Sequence, residues 1–254
     1  MTFNVCFQYT LAQNISKYAG EFLEIGVGAR AQALGAAFTA IADDGTAAYW
    51  NPAGIGQLPC PQISLMHAEQ FGGEVNYDFA SIAIPYRQKT TFGFSIIRLG
   101  IDGIPDTRNA LIDTVEANGR IDEGERINLD KITYFSNTDF AFYFSFAHRR
   151  NPSTFFGANV KLIKRSIGDN TAWGVGFDAA VLSHLSEKFT LGANLMNATS
   201  TIIAWDTGRK ELISPMLKIG SAYKFIPGRF PVMFIAVVDA DIRFENREYA
   251  AQHH

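Results

Sequence analysis

The chain has 254 residues, 47% of them hydrophobic and 19% charged, with a formal net charge of −3. That balance gives no electrostatic reason to expect nucleic acid as a partner. Cys6 and Cys60 are the only cysteines, which excludes a disulfide scaffold and a cysteine-based zinc cluster but leaves the redox compartment open. No apolar run is long enough for a membrane-spanning helix, so a membrane protein of this composition would have to be a β-barrel.

In chain order, the first residues, MTFNVCFQYTLAQN, are apolar and lack a basic start. Residues 1–20 read either as the tail of a signal peptide, with Ala12 near a cleavage point, or as a disordered N-terminus. Residues 21–60 form a distinct segment whose centre, GARAQALGAAFTAIADDGTAAYWNPAGI, is crowded with small residues. A short buried helix is predicted over 31–42, followed by an Asp-Asp-Gly turn. Asn51-Pro52 reads as a second turn, because proline fixes its own φ and restricts the residue before it.

From Gln62 onward the apolar period is two, the signature of strands. Nine strands are predicted, at about 62–71, 77–87, 90–100, 138–148, 153–166, 170–184, 188–197, 213–225 and 231–243. In the fourth, Phe140, Phe142, Phe144 and Phe146 share one face, with Ala141, Tyr143, Ser145 and Ala147 on the other. In the sixth, Trp173, Val175, Phe177, Ala179 and Val181 alternate with Gly174, Gly176, Asp178 and Ala180. The polar face is mostly small residues, which suits a crowded barrel interior, and the apolar face is aromatic, as a lipid-facing band would be. On this pattern the fold is an antiparallel transmembrane β-barrel over residues 61–254; a soluble sandwich is the alternative, but its outer face should be charged.

Predicted connections at 87–90, 148–153, 185–188 and 225–230 are short, and those at 71–77, 101–137 and 198–212 are longer, although 167–169 is brief. Outer-membrane barrels sort their turns in this way. Bacterial barrels have even strand numbers, so residues 246–254 would open a tenth strand of a barrel that is C-terminally incomplete. His253 and His254 fit an interrupted strand better than a metal site.

The chemistry of catalysis is missing. His67, His148, His184, His253 and His254 are scattered, and no HExxH, CxxC or GxSxG occurs. No cofactor or metal motif is present, and the chain reads as a non-enzyme. Asp43 and Asp44 are adjacent on a turn and would point apart; they fit a helix cap, or partners for Arg30, Lys161 or Lys218. Lys161, Asp178 and Lys218 fall on the polar face as candidate lumen charges. The 101–137 loop carries Asp102, Asp106, Asp113, Glu116, Asp122, Glu123, Glu125 and Asp130 without calcium-loop spacing, and reads as a solvated outer loop or a docking surface.

The segment GARAQALGAAFTAIADDGTAAYWNPAG, placed just before the first strand, resembles the N-terminal signature of FadL-like outer-membrane proteins, and most closely their PorV/PorQ group. Gly28 to Arg30, Leu34, Gly35, Ala42 to Asp44 and Trp50 to Gly54 carry the resemblance; Ala36 stands where a further glycine is common, a departure that would stiffen the segment. Weaker similarities recur at Gly103-Ile104-Pro105, Gly157-Ala158-Asn159-Val160-Lys161, Leu191-Gly192-Ala193-Asn194 and residues 214–220. The resemblance implies a plug, or hatch, inside the barrel, built on Arg30, Asp43, Asp44, Trp50, Asn51, Pro52, Ala53 and Gly54.

It also implies a bacterial outer-membrane location and one of two roles. The first is PorV-like work in type IX secretion, delivering cargo to the surface with secreted proteins or secretion-machine subunits as partners. The second is FadL-like diffusion of hydrophobic small molecules such as long-chain fatty acids, for which an apolar pocket between plug and wall would be the sign. A soluble β-protein that binds a ligand is the third reading.

Overall fold

The computed structural model describes residues 19–112, 126–226, 228 and 232–244. It is an all-β protein with short helical turns confined mainly to its N-terminal segment. The main strands are β1 (Gln62–Gln70), β2 (Val75–Tyr86), β3 (Thr90–Asp106), β6 (Thr133–Asn151), β7 (Thr154–Ile167), β8 (Asn170–His184), β9 (Phe189–Met196), β12 (Met216–Phe225) and β13 (Phe234–Arg243). They pair antiparallel with their chain neighbours in the order β1-β2-β3-β6-β7-β8-β9-β12-β13. A two-stranded ribbon, β4 (Leu111–Ile112) with β5 (Arg126–Ile127), lies between β3 and β6. A hairpin of β10 (Thr201–Trp205) and β11 (Lys210–Ile213) joins the sheet through β8. Within this described sheet β1 and β13 are the two ends and do not pair with each other.

Side-chain parity follows the period of two, but inverted relative to a water-soluble sheet. Asn159 and Lys161 on β7 are each 1% exposed, while Val160 between them is 41% exposed. On β8, Asp178 is 3% exposed and its neighbour Phe177 is 44%. On β6, Ala141, Tyr143, Ser145 and Ala147 are buried, and Phe144 and Phe146 face outward and exposed. Because a strand turns successive side chains to opposite faces, each strand repeats the choice for its whole length.

The inner face covers the N-terminal segment, residues 19–58. Asp239 on β13 accepts hydrogen bonds from the backbone N–H groups of Phe38 and Thr39, at 3.1 and 2.9 Å. Six residues further on, Gly45 lies against Ser64 of β1, and its carbonyl accepts from Ser81 Oγ of β2 at 2.6 Å. Six residues reach at most about 21 Å, whereas nine flat strands would hold their outer members about 38 Å apart. The sheet therefore curls around the segment.

Three expectations are corrected. The helix is only α1 (Ala29–Ala33), not 31–42, because Gly35 and Ala36 adopt left-handed backbone with φ of 64° and 67°. The 101–137 connection is shorter than expected, since β3 runs on to Asp106 and β6 starts at Thr133; a bulge between Ile101 and Ile104 carries the pairing beyond its regular register. The 198–212 connection is not a loop but holds the β10–β11 hairpin. The possible signal remnant over 1–18, Cys6, Asp113, Glu116, Asp122, Glu123, Glu125 and the tenth strand at 246–254 with His253 and His254 lie outside the described residues.

Candidate functional site: the interface between the N-terminal segment and the curled sheet

The segment is organised by Asn51-Pro52. Proline pushes the residue before it out of helical backbone, and Asn51 is extended (φ −157°, ψ 98°) between α2 (Ala47–Trp50) and the 3-10 turn Pro52–Gln57. Pro52 opens that turn, where its missing N–H costs nothing. Fully buried, Asn51 does three things with one amide. Its Oδ1 accepts from Ala53 N at 3.0 Å, and its Nδ2 donates to Thr39 O at 2.8 Å and to Val181 O on β8 at 3.2 Å. Trp50 donates Nε1–H to Val27 O at 2.9 Å and packs edge-on against Tyr49. Tyr49 in turn donates its hydroxyl to Leu23 O at 2.6 Å, and burial holds its phenol pKa well above the ordinary value.

Wall and segment meet through a repeated Gly-X-Asn pattern. A side chain at Gly157 would stand 2.1 Å from Ala53 N, and one at Gly192 would stand 2.3 Å from Thr39 O. Glycine there permits backbone-to-backbone approach. Two residues on, and so on the same face, Asn159 donates to Ala48 O at 2.8 Å and Asn194 donates to Trp50 O at 3.0 Å. A carbonyl sealed from water must find a donor, and these asparagines supply it. Gly54 works inside the segment itself, where a Cβ would meet Ala42 O at 2.0 Å.

Arg30 forms an ion pair with Asp43, lies 3.5 Å from Asp44 and stacks over Phe38. Asp44 accepts from Thr46 N at 2.8 Å and Thr46 Oγ1 at 2.6 Å, at the start of α2 rather than at the end of the preceding helix. Arg30 and Asp43 are about half exposed, and such a pair contributes little to stability. Lys161 and Lys218 bind other partners. Lys161 Nζ sits 2.7 Å from Asp178 Oδ1 with both side chains sealed from solvent, and also donates to Asn197 Oδ1 at 2.5 Å. Lys218 pairs with Asp241 at 2.6 Å. Asp178 also accepts from Asn159 Nδ2 at 3.0 Å, so the buried ion pair orients the asparagine that holds Ala48.

The structure thus gathers Trp50, Asn51, Pro52, Ala53 and Gly54 with Asp178 and Lys161 at one interface, and leaves the Arg30–Asp43–Asp44 group at its exposed side. Sequence reading named Asn159 and Asn194 only within stretches of family resemblance, without a role, and did not single out Ser81 or Asp239. The Gly-X-Asn repeat at 157–159 and 192–194 was the available signal.

Between the segment and strands β9, β12 and β13 lies a cavity of about 290 Å³, with Trp50, Met196 and Met216 on its apolar side and Glu24, Lys218, Asp241 and Arg243 on its charged side. Among the described residues no three or more His, Cys, Asp or Glu side chains gather into a metal-binding group.

In comparison with known proteins, no curated protein matches the chain. Residues 9–174, which include the N-terminal segment, β1 through β7 and the start of β8, match an uncharacterised protein family, UPF0164. With the match covering more than half of its length, the chain belongs to the UPF0164 family.

Proposed function

We propose that the protein is a non-enzymatic β-barrel of the bacterial outer membrane, that residues 21–60 are its plug, and that hydrophobic small molecules cross the membrane past that plug. The inverted sheet carries this reading. Lys161, Asp178, Asn159 and Asn194 are buried against the segment, while Phe144, Phe146, Phe177, Trp173 and Tyr223 are exposed outside. A continuous apolar exterior of this kind is a liability in water and the normal face of a barrel in lipid. Strands β1, β12 and β13, of 9, 10 and 10 residues, match the about 9–11 residues that cross a bilayer. The cavity beside Trp50, Met196 and Met216, whose wall also carries Glu24, Lys218, Asp241 and Arg243, supports small-molecule passage, since a mobile plug needs such a space next to it.

A second reading, delivery of secreted cargo in the manner of the PorV group, has one observation in its favour. β3 and β6 run to 17 and 19 residues, longer than a membrane span needs, so their far ends and the β4–β5 ribbon would stand clear of the bilayer as a surface for proteins.

The test is to extract the tagged protein from native outer membrane in mild detergent and identify what co-elutes by mass spectrometry. Bound lipid or other hydrophobic small molecules without protein partners support the passage reading. Secreted proteins or secretion-machine subunits transfer the case to cargo delivery. Recovery of the protein in the soluble fraction refutes both.

A further inference from the structure

The outer face of the sheet is not apolar from end to end. Strand pairing sets its side chains in rows that cross β1, β2, β3, β6, β7 and β8. Leu65, Ala80, Ile96, Phe142, Leu162 and Val175 make one row, all apolar. Two residues along each strand, toward the β4–β5 ribbon, the next row reads His67, Asp78, Arg98, Phe140, Lys164 and Trp173. The row after that has no apolar side chain: Glu69, Asn76, Gly100, Thr138, Ser166 and Thr171. At the short-turn end the apolar rows stop at Tyr86, Thr90 and His148, which stand opposite one another. From Asp78 to Tyr86 along β2 is about 27 Å. With strands tilted by about 40° that is about 20 Å along a barrel axis, comparable with the apolar band of about 25 Å on such barrels.

The row from His67 to Trp173 is therefore a boundary, and its charges behave as boundary charges do. Arg98 donates Nη1–H to Asp78 Oδ2 at 2.9 Å, and its guanidinium lies over Gly100, where a Cβ would stand 2.8 Å from Nη2. Gly100 belongs to the polar row, so the arginine leaves its stem among apolar neighbours and carries its head toward the polar end. Lys164 Nζ lies over the Trp173 ring at 5.6 Å and has no carboxylate partner among the described residues. Asp78 is shared between Arg98 and His67, and His67 also lies 3.5 Å from Glu69. Just inside this boundary Ala80 is the small residue of its row. Between Leu65 and Ile96 it leaves a groove of about 430 Å³, with His67, Asp78 and Arg98 at its charged end and Phe140 on its flank.

We propose that this groove holds one phospholipid of the surrounding leaflet, its acyl chain over Ala80 and its phosphate above Phe140, between Arg98 and Lys164. Arg98 and Lys164 flank Phe140 on the two neighbouring strands, about 10 Å apart at the backbone. Two such long side chains reach a single phosphate from that separation. Asp78 engages one nitrogen of Arg98 and leaves the rest of its donor fork for phosphate oxygens. Charge-assisted bonds of this kind are roughly twice as strong as neutral ones. A headgroup with net negative charge fits better than phosphatidylcholine, whose trimethylammonium would sit beside two cations and cannot donate to Asp78. The site rests on the membrane reading above and needs neither small-molecule passage nor cargo delivery.

The test reconstitutes the intact protein in vesicles of equimolar phosphatidylglycerol and phosphatidylcholine. The vesicles are floated, the protein is re-extracted in mild detergent, and the lipid it retains is measured by mass spectrometry. The parent should retain phosphatidylglycerol several-fold over phosphatidylcholine. The double variant Arg98→Gln, Lys164→Gln should retain the two equally. Ala80→Phe, which fills the groove and keeps every charge, should retain less of both lipids. Lys210→Gln, on the exposed β10–β11 hairpin, should match the parent. Equal retention of the two lipids by the parent, or parental selectivity in the double variant, overturns the site. Protein that does not float with the vesicles overturns the membrane reading itself.

Discussion

Replacing Gly157 with alanine should unseat the N-terminal segment while leaving the outer surface untouched. The added Cβ would lie 2.1 Å from Ala53 N and 2.3 Å from Pro52 C, both backbone atoms that cannot rotate away. Ordinary contact begins near 3.4 Å, so the Pro52–Ala53 backbone must retreat by about 1.3 Å. A retreat of that size stretches the Asn159–Ala48 bond, now 2.8 Å, and the Asn51–Val181 bond, now 3.2 Å, beyond hydrogen-bonding range. Each loss strands a buried polar group at about 1–3 kcal/mol, or about 2–6 kcal/mol for the two.

The assay is limited proteolysis of the detergent-solubilised protein, scored for cuts within residues 19–58, alongside the thermal unfolding midpoint. Gly157→Ala should show earlier cleavage there and a lower midpoint. Gly192→Ala, whose Cβ would stand 2.3 Å from Thr39 O, should do the same at the other end of the segment. Gly228→Ala, with none of the described residues within 4 Å, should behave as the parent. Parental cleavage and midpoint in both interface variants would refute the backbone-to-backbone packing from which the magnitude follows.

Lys161→Met strands the Asp178 carboxylate in the sealed interior, and removing one member of a buried pair typically costs about 3–5 kcal/mol; a urea midpoint equal to the parent's would show that the pair is not buried as described. Phe144→Arg places a charge on the exposed apolar face of β6, which at the bilayer midplane costs about 2–4 kcal/mol. That variant should insert poorly into vesicles in a flotation assay, whereas Tyr143→Arg, on the inner face, should disturb the plug instead. Tyr49 gives a pH dependence. Burial raises its folded pKa, so its contribution is complete below the unfolded value of about 10 and is lost as pH climbs toward the folded value. Protease cuts within residues 19–58 should therefore increase above about pH 10, and Tyr49→Phe should flatten that rise.

The sequence by itself determined the strands and their two faces. A period of two assigns each residue to a side as soon as one is placed, so the parity of Phe144 against Ser145, or Phe177 against Asp178, was readable without any contact. The abundance of small residues between Gly28 and Gly54 likewise marked a segment meant for close packing. Local signals were weakest where elements were short. Thr201–Trp205 and Lys210–Ile213 span five and four residues and show too little periodicity to separate a hairpin from a loop. The end of α1 depended on left-handed backbone at Ala36, a conformation its side chain does not favour and its sequence does not announce.

Only the tertiary structure decided who meets whom. Asn51 reaches Val181, 130 positions away, and Phe38 reaches Asp239, 201 away. Those distances close because the sheet curls, and curl is a property of accumulated strand twist and of the segment packed within it, not of any local stretch. For the same reason Lys161 chose Asp178 on the adjacent strand over Asp43 or Asp44. Neighbouring inner-face positions on paired strands are held within reach, whereas the aspartates sit on a turn facing Arg30. Alternation told which side chains face inward; curvature told what they find there.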